Sequence, residues 1–374
     1  MSEPRRILFV DDEQQVLDGL RDMLRPMRKK WRVDFAGSGE AALGELLLGR
    51  YDVIVSDVRM PGMDGVELLG RVQQLYPHTV RIVLSGHTEL DAALRCATVA
   101  HQFLTKPCSS ALLLAVIERA CALRELIGDE RLRAQLGKLG ALTSPPGATA
   151  ELARALESGS SPEEIGRLVE SDPAMSAKVL QLVSSAFFGH AGRVRGVPHA
   201  VELLGGGVLR QLVAALVEAE AAVPESPAQA RTLEHMRRHS LFAARIAARL
   251  CTDERMSADA FMAALLHCVG RLAVGADGDC GGAGNPVSGA YLLGLWGLPA
   301  PLVDAVAGQH LPRTILPDQF GLGDAVHCAS ALAREFDAAA APEEILARLP
   351  ALPSSGAPLE WSDLARAIAA GEAA

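Results

Sequence analysis

The sequence lacks the cysteine patterns of a disulfide-rich secreted domain or of a small zinc-binding domain. Its seven cysteines are an odd number, and no two of them form a C-x-x-C pair. A disulfide framework and a zinc ribbon are therefore not indicated, and we expect buried thiols in a reducing compartment. The apolar run near the N-terminus is too short for a signal peptide, so we expect a cytoplasmic protein.

An excess of basic residues is also missing. The 374-residue chain has 36 basic and 45 acidic residues, a net charge of −9, and residues 129–374 alone carry −8. A protein that binds DNA or RNA mainly through phosphates has a basic excess, so we expect no nucleic acid partner. Residues 280–303 are uncharged, but their prolines and glycines indicate a loop and a short buried helix instead of a membrane span.

Apolar residues make up 49 % of the chain, which is enough for two or three folded domains at this length. In the first third, short apolar runs alternate with helical patterns. This alternation predicts βαβ units, and hence an α/β domain built on a doubly wound, five-stranded parallel sheet. The predicted strands are 6–10, 32–36, 52–56, 80–85 and 102–105.

The last helix of this first domain is predicted over residues 109–127. Apolar residues recur along it at three- and four-residue spacing, at Leu113, Val116, Ala120, Leu123 and Ile127. The pattern allows two interpretations. Either the helix packs on its own sheet, or it forms a short coiled-coil seam with a second copy of the chain, which would make a homodimer.

A clear break follows at residues 142–147, where two prolines and a glycine stand together. Beyond it we find only helical patterns, without the alternation that is typical of a strand. We therefore predict a first domain at 1–127, a linker at 128–148, an all-α domain at 149–340 and a helical tail at 341–374.

Chemically distinctive residues stand where four of the predicted strands end. Asp11 and Asp12 follow the first strand, Asp57 the third, Ser85 closes the fourth and Lys106 follows the fifth. The carboxyl ends of parallel strands meet at one edge of a sheet, so we expect these side chains to share a pocket. Three carboxylates favour Mg²⁺, which prefers oxygen ligands. With a lysine and a hydroxyl nearby, the pocket suits transfer of a phosphoryl group onto a carboxylate.

The segments around these residues resemble the receiver domain of bacterial response regulators. They read FVDDE at 9–13, IVSDVRMPGMDG at 54–65, LSG at 84–86 and FLTKP at 103–107. The resemblance covers residues 5–125 and implies a flavodoxin-like fold. It also implies that Asp57 accepts the phosphoryl group and that Lys106 pairs with the phosphate.

The same resemblance implies the rest of the site. The implied Mg²⁺ ligands are Asp12 and Asp57 through their side chains, Arg59 through its carbonyl, and Asp11 through bound water. Ser85 and Phe103 match the hydroxyl–aromatic switch pair of the family, in which the ring turns inward when the hydroxyl moves to the phosphoryl group. The Lys106–Pro107 bond matches one that is commonly cis in the family.

The second half resembles the HDOD family, an all-helical output module related to the HD phosphohydrolases. The likeness covers about 135–340 and rests on an Asp-Pro helix at 170–186, LLHCVGRL at 265–272 and GAYLLGLWGLP at 289–299. One position departs from the family, because an asparagine commonly precedes Ser185 and Ser184 stands there instead.

The histidines of this half bear on whether it is an enzyme. A working HD site binds metal through a first histidine, an adjacent His-Asp pair and a later aspartate. Here His239 and His267 match the histidines, but Cys268 replaces the paired aspartate and Ser330 the later one. We expect a degenerate site at His239, His267, Cys268, His310 and Ser330, without a cofactor. Imidazole and thiolate can still bind Zn²⁺, but buried histidine remnants are the favoured interpretation.

Together the resemblances imply a two-component response regulator that a sensor histidine kinase phosphorylates on Asp57. Its non-catalytic output domain would bind an unidentified protein or small ligand. The alternative is a cyclic-dinucleotide phosphodiesterase of the HD type controlled by its receiver, but that enzyme would need both missing carboxylates. A DNA-binding regulator is disfavoured by the acidic output half.

Overall fold

The computed structural model describes residues 4–86, 94–185, 194–220, 226–251, 253–274, 284–310 and 320–337. Within these residues the strands are β1 Arg5–Val10, β2 Trp31–Ala36, β3 Val53–Ser56, β4 Val80–Gly86 and β5 Gln102–Lys106. They pair in parallel in the order β2-β1-β3-β4-β5. The predicted doubly wound, five-stranded parallel sheet is therefore confirmed.

Four described helices flank this sheet. They are α1 Gln14–Met23, α2 Gly39–Leu48, α3 Gly65–Leu75 and α4 Ser110–Leu123. Each of the last three begins where a Ser38, Asp64 or Ser109 side chain accepts a hydrogen bond from a backbone N–H of the first turn. We call the sheet and these helices the sheet domain.

Helix α4 is shorter than the predicted helix 109–127, but its apolar face packs as expected. Leu113, Ile117 and Ala120 are fully buried in the same apolar cluster as the sheet residues Val55 and Ile82. The arrangement favours packing on the chain's own sheet over a seam between two copies.

All regular elements described after residue 129 are helices, which confirms the predicted all-α half. They are α5 Glu130–Lys138, α6 Ala148–Ser158, α7 Pro162–Glu170, α8 Pro173–Ser184, α9 Val197–Glu220, α10 Pro227–Arg249, α11 Glu254–Leu265, α12 Val269–Val274, α13 Gly284–Leu295, α14 Ala300–Ala307 and α15 Leu322–Asp337. We call α6–α15 the helical domain. The predicted tail 341–374 lies outside the described residues.

Helix α5 lies within the predicted linker 128–148 and packs on the sheet domain. Leu136 is fully buried in the apolar cluster of the sheet. The Gln73 amide donates to the Lys138 carbonyl at 2.8 Å and to the Thr98 carbonyl at 3.1 Å. A side chain at Gly137 would place its Cβ 2.0 Å from the Pro77 carbonyl oxygen, so only glycine fits there. The segment is therefore anchored along much of its length.

Two helical stretches, Val197–Glu218 and Glu254–Val274, are long and apolar enough to cross a membrane by length and composition alone. Buried helices of a folded domain pass the same test. Gly205, with a φ of 74° and a ψ of 157°, interrupts the first stretch. Leu212 and Ala263 are fully buried in the core of the helical domain. Packing within the domain buries 39 % of the apolar window in the first stretch and 56 % of that in the second.

Candidate functional site

Asp11, Asp12 and Asp57 lie together at the carboxyl edge of the sheet. One oxygen from each carboxylate lies within 4.8 Å of the others. The sheet register explains this, because Val10 pairs with Ser56 and the residues that follow β1 and β3 are therefore neighbours. Asp11 and Asp57 are buried, whereas Asp12 is exposed. The cluster is thus accessible from solvent beside Asp12.

Lys106 faces two of these carboxylates. Its Nζ lies 2.6 Å from Asp11 Oδ2 and 2.8 Å from Asp57 Oδ1. Burial opposes the charge of the ammonium, but hydrogen bonds and attraction from Asp11 and Asp57 outweigh it and raise the pKa of Lys106. One cation against three carboxylates leaves two negative charges in the pocket. The donor set and this excess charge fit a divalent cation with oxygen ligands, such as Mg²⁺.

The loop after Asp57 approaches that residue closely. A Cβ at Gly65 would lie 2.1 Å from the Asp57 carbonyl oxygen, and Gly62 has a φ of 77°. Both positions therefore require glycine, one for space and the other for its backbone conformation. Arg59 lies exposed in this loop. The tight loop fixes the backbone that carries Asp57 and the Arg59 carbonyl.

Ser85 and Phe103 lie on adjacent strands beside the pocket. Ser85 is fully buried at the end of β4, and Phe103 is buried in β5 with 2 % of its surface exposed. Phe103 pairs with Val83, two residues before Ser85, so the two side chains are diagonal neighbours. The Lys106–Pro107 peptide bond is cis. The structure thus gathers the five pocket residues at one edge of the sheet, with Phe103 on β5 two register positions before Ser85.

The degenerate HD residues only partly assemble. His239 of α10 and His267 and Cys268 of the α11–α12 connection form a buried cluster, in which the two histidine Nε2 atoms are 3.2 Å apart. His310 is half-buried and does not belong to this group of three. Ser330 is buried, and its hydroxyl donates to the His327 carbonyl at 3.1 Å within α15. No carboxylate from the described residues joins the cluster.

A contact between the two domains was not predicted from the sequence. Lys178 of α8 is 1 % exposed, and its Nζ donates to the carbonyls of Ala97 and Gly140 and to Gln181 Oε1. The Gln181 amide in turn donates to the His101 carbonyl at 2.9 Å. The contact therefore joins the helical domain to the segment that precedes β5. We call it the Lys178 contact.

Three basic side chains meet at the Lys178 contact. Arg81 is fully buried in β4, with its Nη2 3.1 Å from the His101 Nε2. Burial lowers the pKa of Lys178 to about 7, with a smaller effect from the charge of Arg81. Burial also lowers the pKa of Arg81, and it lowers that of His101 well below its usual range. A basic residue inside an apolar strand (Arg81) and another inside an apolar helix (Lys178) were the signals available in the sequence.

A second contact joins α4 to α13. The Arg119 guanidinium donates to the Leu298 carbonyl, and the Gln102 amide of β5 donates to the Leu295 carbonyl at 3.0 Å. Leu123 packs against Gly294 so closely that a Cβ there would lie 2.6 Å from a Leu123 methyl group. Tyr291 of α13 belongs to the apolar cluster of the sheet. The helical domain therefore touches both β5 and the last helix of the sheet domain.

Comparison with known proteins identifies the two parts separately. Residues 7–118 match the response regulator receiver domain, and residues 142–278 match the HDOD domain. Over 125 residues the chain is 35 % identical to the hydrogenase transcriptional regulatory protein HoxA of Cupriavidus necator, which is 33 % of this chain and 25 % of that protein. The chain thus spans a quarter of that relative's length.

The chain is also similar to solved structures of other proteins. The receiver domain of an HD domain-containing protein from Pseudomonas fluorescens Pf-5 is 30 % identical, covering 33 % of this chain and 98 % of that one, with a TM-score of 0.32. The response regulator TrrA of Thermotoga maritima, solved in complex with Mg²⁺-BeF, is 27 % identical, covering 31 % and 98 %, with a TM-score of 0.29.

Proposed function

Because the chain carries a response regulator receiver domain at 7–118 and an HDOD domain at 142–278, we propose that it is a cytoplasmic two-component response regulator. Its receiver accepts a phosphoryl group on Asp57 from a sensor histidine kinase. The position of Asp57, next to Asp11 and Asp12 and 2.8 Å from Lys106, is the observation that carries this proposal. Asp57 is the one carboxylate of the three that follows β3, the central strand of the sheet.

The residues of the pocket have distinct roles in this reaction. A carboxylate oxygen of Asp57 attacks the phosphorus of phosphohistidine, the P–N bond breaks, and the imidazole nitrogen leaves with the electron pair. Lys106 pairs with an oxygen of the transferred group. Asp11, Asp12, Asp57 and the Arg59 carbonyl would hold Mg²⁺. When bound, Mg²⁺ neutralises the carboxylates and the phosphoryl oxygens, so that two anions can approach each other.

Labelling with a small phosphodonor tests this proposal. Incubation of the full chain with acetyl phosphate and Mg²⁺ should attach one acid-labile phosphoryl group, which intact mass spectrometry will count and peptide mapping will locate at Asp57. Chelation of Mg²⁺ should stop the labelling, because the excess negative charge of the pocket then repels the donor. Undiminished labelling in the presence of chelator would contradict the metal-dependent site.

We further propose that the receiver acts on the HDOD domain through the contacts between the two domains. Strand β5 carries Phe103 and Lys106 towards the phosphorylation pocket, and its first residue, Gln102, donates to Leu295 of α13. The rest of this contact is formed by α4 through Arg119 and Leu123. A shift of β5 and α4 on phosphorylation therefore reaches the output domain within one chain. Docking of this kind is favoured over a homodimer seam along α4.

The output domain is proposed to bind a partner without catalysis. The alternative, a cyclic-dinucleotide phosphodiesterase, needs carboxylates that hold hard divalent metals with an open position for substrate. Cys268 and Ser330 occupy the two carboxylate positions, and the Ser330 hydroxyl donates to the His327 carbonyl. His239 and His267 are also largely shielded from solvent.

The full chain should therefore show no multiple turnover of cyclic dinucleotides or nucleotides. Product chromatography with Mn²⁺ or Fe²⁺ supplied, before and after phosphorylation, is the measurement. The matched control is His267→Ala, which removes one of the two histidines that match the metal ligands of HD enzymes. Turnover in the wild type that disappears in this variant would overturn the partner-binding proposal and support the phosphodiesterase.

A further inference from the structure

Two histidines and a cysteine form a closed cluster in the helical core. His239, His267 and Cys268 are 7 %, 2 % and 4 % exposed. The His267 Nε2 lies 3.2 Å from the His239 Nε2 and 3.2 Å from the Cys268 Sγ, and the third pair of donor atoms lies within 4.8 Å. We infer that this cluster binds one Zn²⁺ ion. The inference replaces the expectation that the output domain has no cofactor.

The separations between the donor atoms fit zinc. In a tetrahedral site, Zn–N bonds of about 2.0 Å and a Zn–S bond of about 2.3 Å place two nitrogens about 3.3 Å apart and a nitrogen and a sulfur about 3.5 Å apart. The two measured separations are each 3.2 Å. These two pairs need adjustments of only a few tenths of an ångström, and the third pair, within 4.8 Å, closes to about 3.5 Å when the side chains turn towards the ion.

The proton positions also prepare His267 to act as a ligand. Its Nδ1 lies 2.5 Å from the Ala264 carbonyl oxygen, which is able only to accept a hydrogen bond. Nδ1 therefore carries the proton of the neutral ring, and the lone pair of Nε2 faces His239 and Cys268. Metal-bound histidines are commonly oriented by such a bond to a backbone carbonyl. The Gln309 amide donates to the His267 carbonyl at 2.9 Å and holds the same peptide in place.

The ligand chemistry selects zinc over the hard cations. Two imidazoles and one thiolate suit Zn²⁺, whereas Mg²⁺ prefers the oxygen ligands that this cluster lacks among the described residues. The acidic pocket of the receiver has the opposite preference. One chain thus carries two metal sites of different chemistry, which can be loaded and measured independently.

The bound ion would connect α10 to the α11–α12 connection. His239 lies in the middle of α10, while His267 and Cys268 lie between the ends of α11 and α12. Three protein ligands leave one tetrahedral position for water. Because all three ligand side chains are more than nine-tenths buried, a nucleotide substrate has no access to that position in this conformation. The proposed zinc site is therefore structural, and it does not support the alternative that the chain is a phosphodiesterase.

Cobalt spectroscopy of the full chain tests the inference. Metal-free protein in excess Mg²⁺ should bind one Co²⁺, with a thiolate-to-cobalt charge-transfer band and the intense visible bands of tetrahedral cobalt. Stoichiometric Zn²⁺ should abolish these bands and raise the melting temperature of the helical domain. Cobalt in the acidic pocket gives no charge-transfer band, because that pocket contains no sulfur. Absence of the band in the wild type would overturn the inference.

Variants identify the ligands. Cys268→Ser should remove the charge-transfer band, and His239→Gln should weaken zinc binding by at least about 100-fold. The matched control is Cys251→Ser, since Cys251 is half-buried at the end of α10 and its thiol contacts the Ala247 carbonyl instead of the cluster. Circular dichroism without metal checks that each variant folds. Unchanged zinc affinity in both folded ligand variants would also overturn the inference.

Discussion

Replacement of Asp57 by asparagine should abolish labelling of the full chain by a small phosphodonor. Asparagine keeps the shape of the side chain but has no anionic oxygen to attack phosphorus. Asp57 follows the central strand β3, whereas Asp11 and Asp12 follow β1, so we expect neither of these carboxylates to take over its role. We expect the amount of acid-labile phosphate per chain, measured by intact mass, to fall to background.

The control for this experiment is Asp22→Asn. Asp22 is an exposed aspartate near the end of α1, outside the acidic cluster, and its replacement removes the same charge from the same domain. This variant should be labelled like the wild type. Labelling of Asp57→Asn at the wild-type level would contradict the assignment of Asp57 as the acceptor. Equal loss in both variants would show that the reaction follows the overall charge of the domain.

The second large effect is a pH dependence that originates at the Lys178 contact. Between pH 7 and 9, the free energy of unfolding of the wild type should rise relative to that of Lys178→Met. The pKa of Lys178 is lowered to about 7 in the folded chain, whereas an unfolded lysine keeps a pKa of about 10.4. In this window the unfolded chain binds more protons, so stability rises with pH. Below pH 7 the difference becomes constant.

The slope approaches about 1.4 kcal/mol per pH unit in the upper part of the window, and the change across the window is roughly 2 kcal/mol. The other two bases of the contact do not contribute there. The pKa of His101 lies well below its usual range, so His101 changes the stability only below about pH 6.5. The pKa of Arg81 is lowered to about 9, so Arg81 changes the stability mainly above pH 9. Each of them shifts stability in the same direction as Lys178.

Urea unfolding followed by tryptophan fluorescence is the measurement. Trp296 is a local reporter, because its ring lies 5.6 Å from the Lys178 Nζ and is 1 % exposed. The control is Lys138→Met, which makes the same chemical change at an exposed position of α5. A wild-type slope no steeper than that of Lys178→Met would show that Lys178 keeps its ordinary pKa in the folded chain.

The acidic pocket at the carboxyl edge of the sheet was predictable because its position depends on short-range rules. Each of its residues follows or closes a strand, and parallel topology brings strand ends to one edge. The Lys178 contact was not predictable in the same way. Residues Lys178 and Ala97 are far apart in the chain, and the acceptors are backbone carbonyls, which every sequence has. A helical pattern states which face is apolar, but it does not state which domain covers that face.

The His-Cys cluster lies between these two cases. The resemblance to HD enzymes placed His239 and His267 at matching positions, and the structure brings them within 3.2 Å of each other. The structure does not bring His310 into this cluster. The spacing of residues along the chain does not determine how far apart they lie across a helical core. Whether Cys268 pointed into the cluster also depended on the turn between α11 and α12, whose geometry the sequence does not specify.

The use of main-chain acceptors at the Lys178 contact has an evolutionary consequence. On the receiver side, Ala97, Ala100 and His101 take part through their carbonyl oxygens, while the donors are the Lys178 and Gln181 side chains. Residues 97 and 100 can therefore drift without loss of these bonds, provided that the new side chains fit. Receivers of diverged sequence should remain exchangeable between such proteins, and the inherited signature of the pairing should be concentrated in helix α8.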